Sequence, residues 1–115
     1  MSGLTTHILD TAAGRPAGGV VVRVFSRRGG AVVPLGETRT DADGRARLVE
    51  GEDLTTGGYR LEFAVADYFT GSGAAVSDPP FLDVVVIDFA VADTGQHYHV
   101  PLLVSPFAYS TYRGS

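Results

Sequence analysis

The sequence contains no cysteine and no lysine. The absence of cysteine excludes disulfides, thiolate metal sites and thiol nucleophiles, and nothing in the sequence indicates an oxidising compartment. The absence of lysine excludes Schiff-base chemistry on a side-chain amine and the lysine of a phosphate-binding loop. Apart from histidine, every cationic side chain is therefore an arginine.

Positive charge is also scarce. Nine arginines stand against 13 acidic residues, which gives a formal net charge of −4 and an isoelectric point near 5.1. The longest basic run is Arg27-Arg28, so the sequence lacks the basic patch that binds a phosphate backbone. It has no apolar run near the roughly 20 residues of a membrane span, and its first residues do not read as a signal peptide. We expect a cytoplasmic protein that binds neither nucleic acid nor membrane.

The 115 residues suffice for one domain, 1–115, with a hydrophobic core, since 44% of them are hydrophobic. Short, valine-rich alternating segments separated by Gly, Pro and Asp indicate an all-β sandwich. One helix of one or two turns fits within residues 64–70, and residues 71–80 read as a loop. The predicted strands are Leu4 to Asp10, Val20 to Arg27, Val32 to Thr40, Arg45 to Val49, Gly58 to Val65, Val84 to Val91, Tyr98 to Ser105 and Ala108 to Ser115.

The strand from Tyr98 to Val104 differs from an ordinary solvated strand. Its alternate apolar residues predict a core-facing side. The opposite side carries His97, His99, Pro101 and Leu103, without the charges of a solvated face. Such a half-apolar outer face indicates a covering subunit or a ligand groove. A proline has no N–H for the ladder, so Pro101 predicts an edge or a bulge.

The first strand repeats this pattern, with His7 on the same side as Thr5 and Leu9. All three histidines, His7, His97 and His99, are then predicted to share one outward surface. Imidazole takes and gives a proton near neutrality. On the residues alone, this cluster has three interpretations: a surface or interface role, a metal site similar to a three-histidine zinc centre, or acid–base catalysis.

Two further segments carry candidate functional residues. Arg45 and Arg47 alternate outward on a short strand, which is typical of a solvated face. The preceding turn matches part of a calcium-loop spacing, but Arg39 occupies the first ligand position and no helices flank it, so we reject a calcium site. The strand-like segment from Tyr109 to Ser115 is either a plain edge strand or a docked chain end whose carboxylate acts as a fixed acceptor.

Four motifs point to a known family. They are Leu4-Thr5-Thr6-His7-Ile8-Leu9-Asp10, Asp43-Gly44-Arg45, His97-Tyr98-His99-Val100-Pro101-Leu102-Leu103 and the ending YSTYRGS, Tyr109 to Ser115. Over essentially its whole length the chain resembles the 5-hydroxyisourate hydrolases, the transthyretin-like enzymes of urate breakdown. The ending is the most specific motif, because the related hormone-carrying transthyretins lack both it and the His-x-His.

The resemblance implies a transthyretin-like (prealbumin-like) sandwich of two four-stranded sheets with one short helix. It implies a homotetramer, a dimer of dimers whose interface forms a channel. It also implies a site lined by His7, Arg45, His99 and the C-terminal segment, notably Tyr112 and Ser115, without metal or organic cofactor. The family motif selects Arg45 rather than Arg47, and it favours His99 with His97 nearby.

The implied reaction is the hydrolysis of 5-hydroxyisourate, a planar anionic oxidised purine, to 2-oxo-4-hydroxy-4-carboxy-5-ureidoimidazoline. His7 and His99 are expected to act as the base and proton-relay pair, because neighbouring imidazoles resist joint protonation. Arg45 would hold the anion or the developing oxyanion, Ser115 would orient a histidine or the water, and Tyr112 would contact the ring. His97 is an expected substrate contact.

The main alternative is a transthyretin-type carrier of small aromatic ligands without turnover. It would use the same channel, and the His-x-His and the Ser115 ending speak against it. A structural sandwich domain, in which the histidines only pack an interface, and a zinc hydrolase are further alternatives.

Overall fold

In residues 3–114, the part of the chain that the structure describes, the computed structural model shows nine strands and one α-helix. The helix α1 is Val65–Ser72, and a single 3-10 turn spans Gly51–Asp53. No described helix is long and apolar enough to cross a bilayer. The strands are β1 (Gly3–Asp10), β2 (Arg15–Pro16), β3 (Val21–Arg28), β4 (Ala31–Arg39), β5 (Arg45–Glu50), β6 (Gly57–Phe63), β7 (Val85–Val91), β8 (His97–Val104) and β9 (Tyr109–Thr111).

These strands form two sheets. In the first sheet the order is β5, β1, β8, β9, and the two-residue β2 continues the edge beside β1 where β5 has ended. The second sheet has the order β4, β3, β6, β7 and is antiparallel throughout. The predicted all-β sandwich of two four-stranded sheets with one short helix is confirmed. The sequence pattern did not reveal β2.

The core lies between the two sheets and follows the predicted alternation. Tyr59, Leu61 and Phe63 of β6 are at most 1% exposed, whereas Arg60 and Glu62 reach solvent. Burying a large apolar side chain stabilises a fold by about 1.5–3 kcal/mol. The apolar side of each strand therefore faces the core, and the other side faces solvent.

A buried carboxylate joins α1 to the end of β1. Asp10 is 2% exposed, and its Oδ1 accepts hydrogen bonds from the N–H groups of Ala12 (3.1 Å) and Ala13 (2.9 Å). Its Oδ2 accepts one from the Tyr68 hydroxyl (2.8 Å). Burial, followed by the bond to Asp10, raises the pKa of Tyr68. Because each Asp10 oxygen has a partner, the carboxylate is accommodated in the interior.

β9 is shorter than the predicted strand Ala108 to Ser115. It spans Tyr109–Thr111, after which the chain leaves β8 and rejoins it at a single bridge between Gly114 and His99. Ser115 lies outside the described residues.

Pro101 explains this gap in the ladder. It lies on β8 between His99 and Leu102, the last residue that pairs with β9. A proline has no N–H to donate, so regular pairing stops at this position. Its carbonyl instead accepts a hydrogen bond from the Thr111 hydroxyl (2.7 Å). The prediction that Pro101 marks an edge or a bulge is therefore corrected: β8 is a central strand, and the outer partner leaves the ladder at the proline.

The turn between β4 and β5 requires glycine at position 44. Gly44 has a φ of 76°, in the left-handed region that residues with a side chain avoid. Its carbonyl accepts a hydrogen bond from the Ile8 N–H (2.7 Å). A Cβ at this position would overlap the Ile8 carbonyl oxygen and lie 3.2 Å from Pro16. This close approach allows β5 to start directly beside β1.

An alanine in the left-handed conformation costs about 1–2 kcal/mol. We expect Gly44→Ala to destabilise the fold by more than this amount, because the new methyl group would also overlap its neighbours. Gly14→Ala is the matched control, since Gly14 has a φ of 71° but no atom lies within 4 Å of the place that its Cβ would take. Urea unfolding measures both losses. Equal losses in the two variants would contradict the proposed contact.

Candidate active site

The outer face of the first sheet carries an open cleft of about 700 Å³. Its lining includes Thr5, Arg45, Arg47, His97 and His99. These residues belong to β1, β5 and β8, which are neighbours in the sheet. The cleft therefore brings together residues from three distant parts of the chain.

Strand register places a row of these side chains across the sheet. Thr5 pairs with Arg47 of β5 on one side and with His99 of β8 on the other. His99 in turn bridges Gly114. Because neighbouring strands lie about 4.8 Å apart, the row runs from Arg47 through Thr5 and His99 to the C-terminal segment.

A second row lies two residues farther along β1. It consists of Arg45, His7 and Pro101. His7 is half-buried and lies beside the cleft rather than in its lining. Within residues 3–114, no carboxylate lies within 4 Å of the Arg45 guanidinium, whereas Arg47 lies 3.7 Å from Glu50. The charge of Arg45 is thus available to an anionic ligand, as is that of Arg39, which also lines the cleft and has no ion pair among the described residues.

One hydroxyl group contacts two of the histidines. Thr5 Oγ1 lies 2.9 Å from His97 Nε2 and 2.8 Å from His99 Nδ1. The two imidazole rings are nearly parallel, with an interplanar angle of 19° and centroids 6.4 Å apart. His99 Nε2 has no hydrogen-bond partner among the described residues, and no unpartnered polar side-chain atom there is buried. This nitrogen is therefore not fully buried, and its residue lines the cleft.

The environment of His99 favours its neutral form. Burial lowers the pKa of His99 below its ordinary value of 6.5, and the positive charges of His7, His97 and Arg45 lower it further. A neutral imidazole keeps a lone pair for an incoming proton. His99 is therefore in the protonation state that a general base needs at neutral pH.

The turn before β5 fixes the position of Arg45. The Asp41 carboxylate accepts hydrogen bonds from the N–H groups of Asp43 (2.9 Å) and Arg45 (3.0 Å). The Asp41 N–H donates to the Arg45 carbonyl (2.9 Å). Together with Gly44, these bonds hold the start of β5 in register with His7. The structure thus gives a reason for Gly44 and for the position of Arg45 in the Asp-Gly-Arg motif, whereas the carboxylate that holds the turn is that of Asp41.

The C-terminal segment is packed against His99. The Gly114 N–H donates to the His99 carbonyl (2.8 Å). A Cβ at position 114 would lie 2.7 Å from His99 Cδ2, closer than such atoms approach one another. Only glycine therefore allows the chain to pass so near the imidazole.

Arg113 anchors this segment. Its guanidinium carbon lies 4.1 Å from the centroid of the Tyr98 ring, a cation–π contact. The same group donates hydrogen bonds to Gln96 Oε1 (2.8 Å) and to the His97 carbonyl (3.3 Å). These contacts hold the last described residues beside the histidine pair.

Of the residues predicted for the site, the structure places Arg45, His97 and His99 in the cleft and His7 next to it. Tyr112 is 60% exposed and lines a separate groove formed by β7, β8 and the C-terminal segment. Ser115 lies outside the described residues, and the roles assigned to it and to Tyr112 stay predictions. Within residues 3–114, no three His, Asp or Glu side chains converge as a metal site would require.

Sequence reasoning did not identify Thr5 or Arg113 as site residues. Thr5 lies on the same face of the first strand as His7, and that alternation was the available signal. Its link to His97 and His99 depends on the pairing of β1 with β8, which alternation does not reveal. Arg113 lies in the C-terminal motif, but its contacts with Tyr98 and Gln96 follow from no local pattern.

Comparison with known proteins gives consistent matches. A family model described as HIUase/Transthyretin matches residues 4–114. The 5-hydroxyisourate hydrolase of Caulobacter vibrioides is 72% identical over 115 residues, covering 100% of both chains. The structure of Klebsiella pneumoniae 5-hydroxyisourate hydrolase is similar at 36% identity and a TM-score of 0.82, covering 100% of both chains. Sea bream transthyretin in complex with thyroxine has 32% identity and a TM-score of 0.87, covering 96% of this chain and 93% of that one.

We expect the imidazole of His99 to titrate at a lower pH than an ordinary histidine, as measured by NMR. Arg45→Gln should raise the pKa of His99, because it removes one of the positive charges that lower it. Arg23→Gln is the control, since Arg23 lies in the second sheet and pairs with Glu37.

The stability of the fold should depend on the same group. Because His99 binds a proton more readily in the unfolded chain, the free energy of unfolding should fall as the pH drops below 6.5. A His99 pKa above 6.5 in the unmodified protein would contradict the assignment.

Proposed function

Because the chain belongs to the HIUase/transthyretin family, we propose that it hydrolyses 5-hydroxyisourate to 2-oxo-4-hydroxy-4-carboxy-5-ureidoimidazoline. The chain is an enzyme, a cyclic amide hydrolase of urate and purine catabolism. The family recognised from the four sequence motifs is confirmed. The observation that supports the catalytic proposal is a neutral His99 whose Nε2 is not fully buried, in a cleft that Arg45 also lines.

Water must be activated before it attacks the ring carbonyl. His99 accepts a proton from water at Nε2 while the water oxygen forms a bond to the carbonyl carbon. The carbon–nitrogen bond of the ring then breaks, and the leaving nitrogen takes up a proton. The former carbonyl becomes the carboxyl group of the product, and the nitrogen becomes part of its ureido group.

Arg45 supplies the positive charge for this reaction, and His7 supplies a proton. The guanidinium of Arg45 donates forked hydrogen bonds to the anionic substrate or to the developing oxyanion. Within the described residues it has no competing carboxylate. His7, opposite Arg45 in the sheet, gives a proton to the leaving nitrogen and is reprotonated from solvent, while His99 releases to solvent the proton that it took from water. The histidines share the acid and base roles because their charges disfavour simultaneous protonation.

The C-terminal segment completes the site in this proposal. Gly114 brings the chain to His99, and Ser115 follows directly and orients the histidine or the water. Tyr112 contacts the ring of the substrate, and the protein assembles as a homotetramer, a dimer of dimers, in the cytoplasm. Leu9 and Leu103 support this assembly, since both are half-exposed apolar residues on the face that carries the histidines.

A second candidate function is ligand carriage without turnover. The fold match to transthyretin solved in complex with thyroxine favours it. A carrier needs a lined channel but no activated base. The lowered pKa of His99 and an Nε2 that is not fully buried speak for hydrolysis, and the two functions differ in whether substrate is consumed.

We expect the purified protein to accelerate the loss of absorbance of 5-hydroxyisourate generated in situ by urate oxidase. His99→Gln should lower kcat/KM by about 10²–10⁴-fold, the range of general acid–base catalysis. Arg45→Gln should lower it by about 10²–10³-fold through the loss of oxyanion stabilisation. Arg23→Gln, in the second sheet, should leave it unchanged. Binding of the substrate without any acceleration would favour the carrier instead.

A peptide tag appended after Ser115 should lower kcat/KM while the far-UV circular dichroism stays native, because the added residues would crowd the cleft beside His99. The control is the same fusion made with a self-cleaving tag that leaves Ser115 as the last residue. Activity should return on cleavage. Full activity of the uncleaved fusion would contradict a role for the C-terminal segment.

A further inference from the structure

The hydroxyl of Thr5 lies between the two histidines of β8, and the hydrolysis proposed above leaves it without a role. We propose that Thr5 is a positioning residue that relays a proton between His99 and His97 during turnover. This inference rests on that proposed hydrolysis. Nothing in the sequence motifs or the family matches assigns such a role to Thr5.

The chemistry of a hydroxyl group restricts what the two histidines can do together. A threonine hydroxyl has one hydrogen to donate and two lone pairs to accept with. It lies within hydrogen-bond distance of His97 Nε2 (2.9 Å) and His99 Nδ1 (2.8 Å). It can therefore donate to only one of the two nitrogens, and the other nitrogen must carry a hydrogen. The tautomers of His97 and His99 are coupled through this one atom.

The coupling allows a balanced proton transfer. Before the reaction, His99 carries its hydrogen on Nδ1 and donates it to Thr5, while Thr5 donates to His97 Nε2. When His99 takes a proton from water at Nε2, its Nδ1 proton moves to Thr5 Oγ1, and the Thr5 hydroxyl proton moves to His97 Nε2. His99 is then neutral again, His97 is the imidazolium and Thr5 is unchanged. Reversal of the same step restores the proton to His99.

Burial and charge give this transfer its direction. His99 is half-buried, whereas His97 is exposed. The charged or titratable groups around His99 are His7 on β1, Arg45 on β5 and His97 on β8, and each disfavours a positive charge on it. Arg47, the row neighbour of Thr5, is partly balanced by Glu50 at 3.7 Å. Burial therefore disfavours a charge on His99, whereas solvent can stabilise a charge on the exposed His97, next to which the Arg113 guanidinium donates to the His97 carbonyl (3.3 Å).

The neighbouring threonine shows that this arrangement is specific to Thr5. The Thr6 hydroxyl is buried and donates to the Val100 carbonyl (2.7 Å), as a structural threonine commonly does. Among the described residues, the Thr5 hydroxyl has no backbone partner, and both of its contacts are imidazole nitrogens. The Thr5 hydroxyl therefore contacts the two histidines and takes no part in the hydrogen bonds between strands.

The test compares Thr5→Val, which keeps the shape and removes the hydroxyl, with Thr5→Ser, which keeps the hydroxyl. Thr11→Val is the matched control, because the Thr11 hydroxyl donates only to the Val104 carbonyl (3.1 Å). Thr5→Val should lower kcat at least about 10-fold with little change in KM, within the total contribution of acid–base catalysis. Thr5→Ser should restore most of it. A Thr5→Val enzyme with unchanged kcat would overturn the relay.

A double-mutant cycle separates a relay from simple packing. If protons pass through Thr5 to His97, then adding Thr5→Val to His97→Gln should lower kcat by less than about 2-fold further, because the path is already cut. If the two substitutions instead lower kcat independently, so that their fold-losses multiply in the double variant, the proposal is overturned. Absence of turnover by the unmodified protein would instead overturn the proposed function.

Two measurements remain informative if Thr5→Val fails to fold. The first is a proton inventory of the unmodified enzyme in mixtures of H₂O and D₂O. Its dependence on deuterium fraction should be curved, because several protons move in one step, and a straight line would overturn the relay. The second needs no turnover: ¹⁵N NMR should show His99 protonated on Nδ1 with His97 Nε2 as acceptor. If His99 Nδ1 and His97 Nε2 both accept hydrogen bonds from groups other than Thr5, the coupling is contradicted.

Discussion

The functional face of this protein depends on the parallel pairing of β1 with β8. Eight consecutive pairs run from Gly3 opposite His97 to Asp10 opposite Val104. Leu4 and Ile8 are fully buried, and so is Leu102 across from Ile8, so a slip of one residue would expose them and turn Thr5 and His7 into the core. Hydrophobic burial on the inner face thus sets the geometry of the polar chemistry on the outer face.

The electrostatic character of the cleft is opposite to that of the whole chain. The chain carries a formal net charge of −4, yet Arg39, Arg45 and Arg47 line the cleft beside one described carboxylate, that of Asp41. Several carboxylates are engaged in structural contacts instead. Asp10 holds α1, Asp41 holds the turn before β5, and Asp88 accepts a hydrogen bond from Arg60 (2.8 Å) in the second sheet. Net charge therefore describes solubility better than it describes the site.

The sequence was sufficient to predict which side of each strand faces the core. Alternation placed Tyr98 and Val100 inside and the histidines outside, because period 2 is a property of one strand and needs no knowledge of its neighbours. Strand pairing is different, since the residues that meet at Thr5 are separated by more than 90 positions. The grouping of Arg45 with the histidines came from family motifs for this reason.

Other features depended on three-dimensional contacts that local patterns do not encode. Pro101 looked like an edge residue, but the absence of its N–H matters only to the outer neighbour of a central strand. Gly114 lay within the predicted last strand without a special role, yet the His99 ring leaves no room for a side chain there. The contact of Arg113 with Tyr98 joins the chain end to a strand that it does not pair with at that point.

The arrangement of the two sheets also determines the order in which the molecule can assemble. All four strands of the second sheet lie within residues 21–91, so all of them are synthesised before β8. β1 emerges first but must wait for β8, and at about 5–20 residues per second this delay is on the order of 5–20 s. β5 is closer to β1 in the sequence and can pair with it earlier, which leaves the β8 side of β1 unpaired. The four strands of the second sheet are therefore complete before the strand that carries His97 and His99 is made.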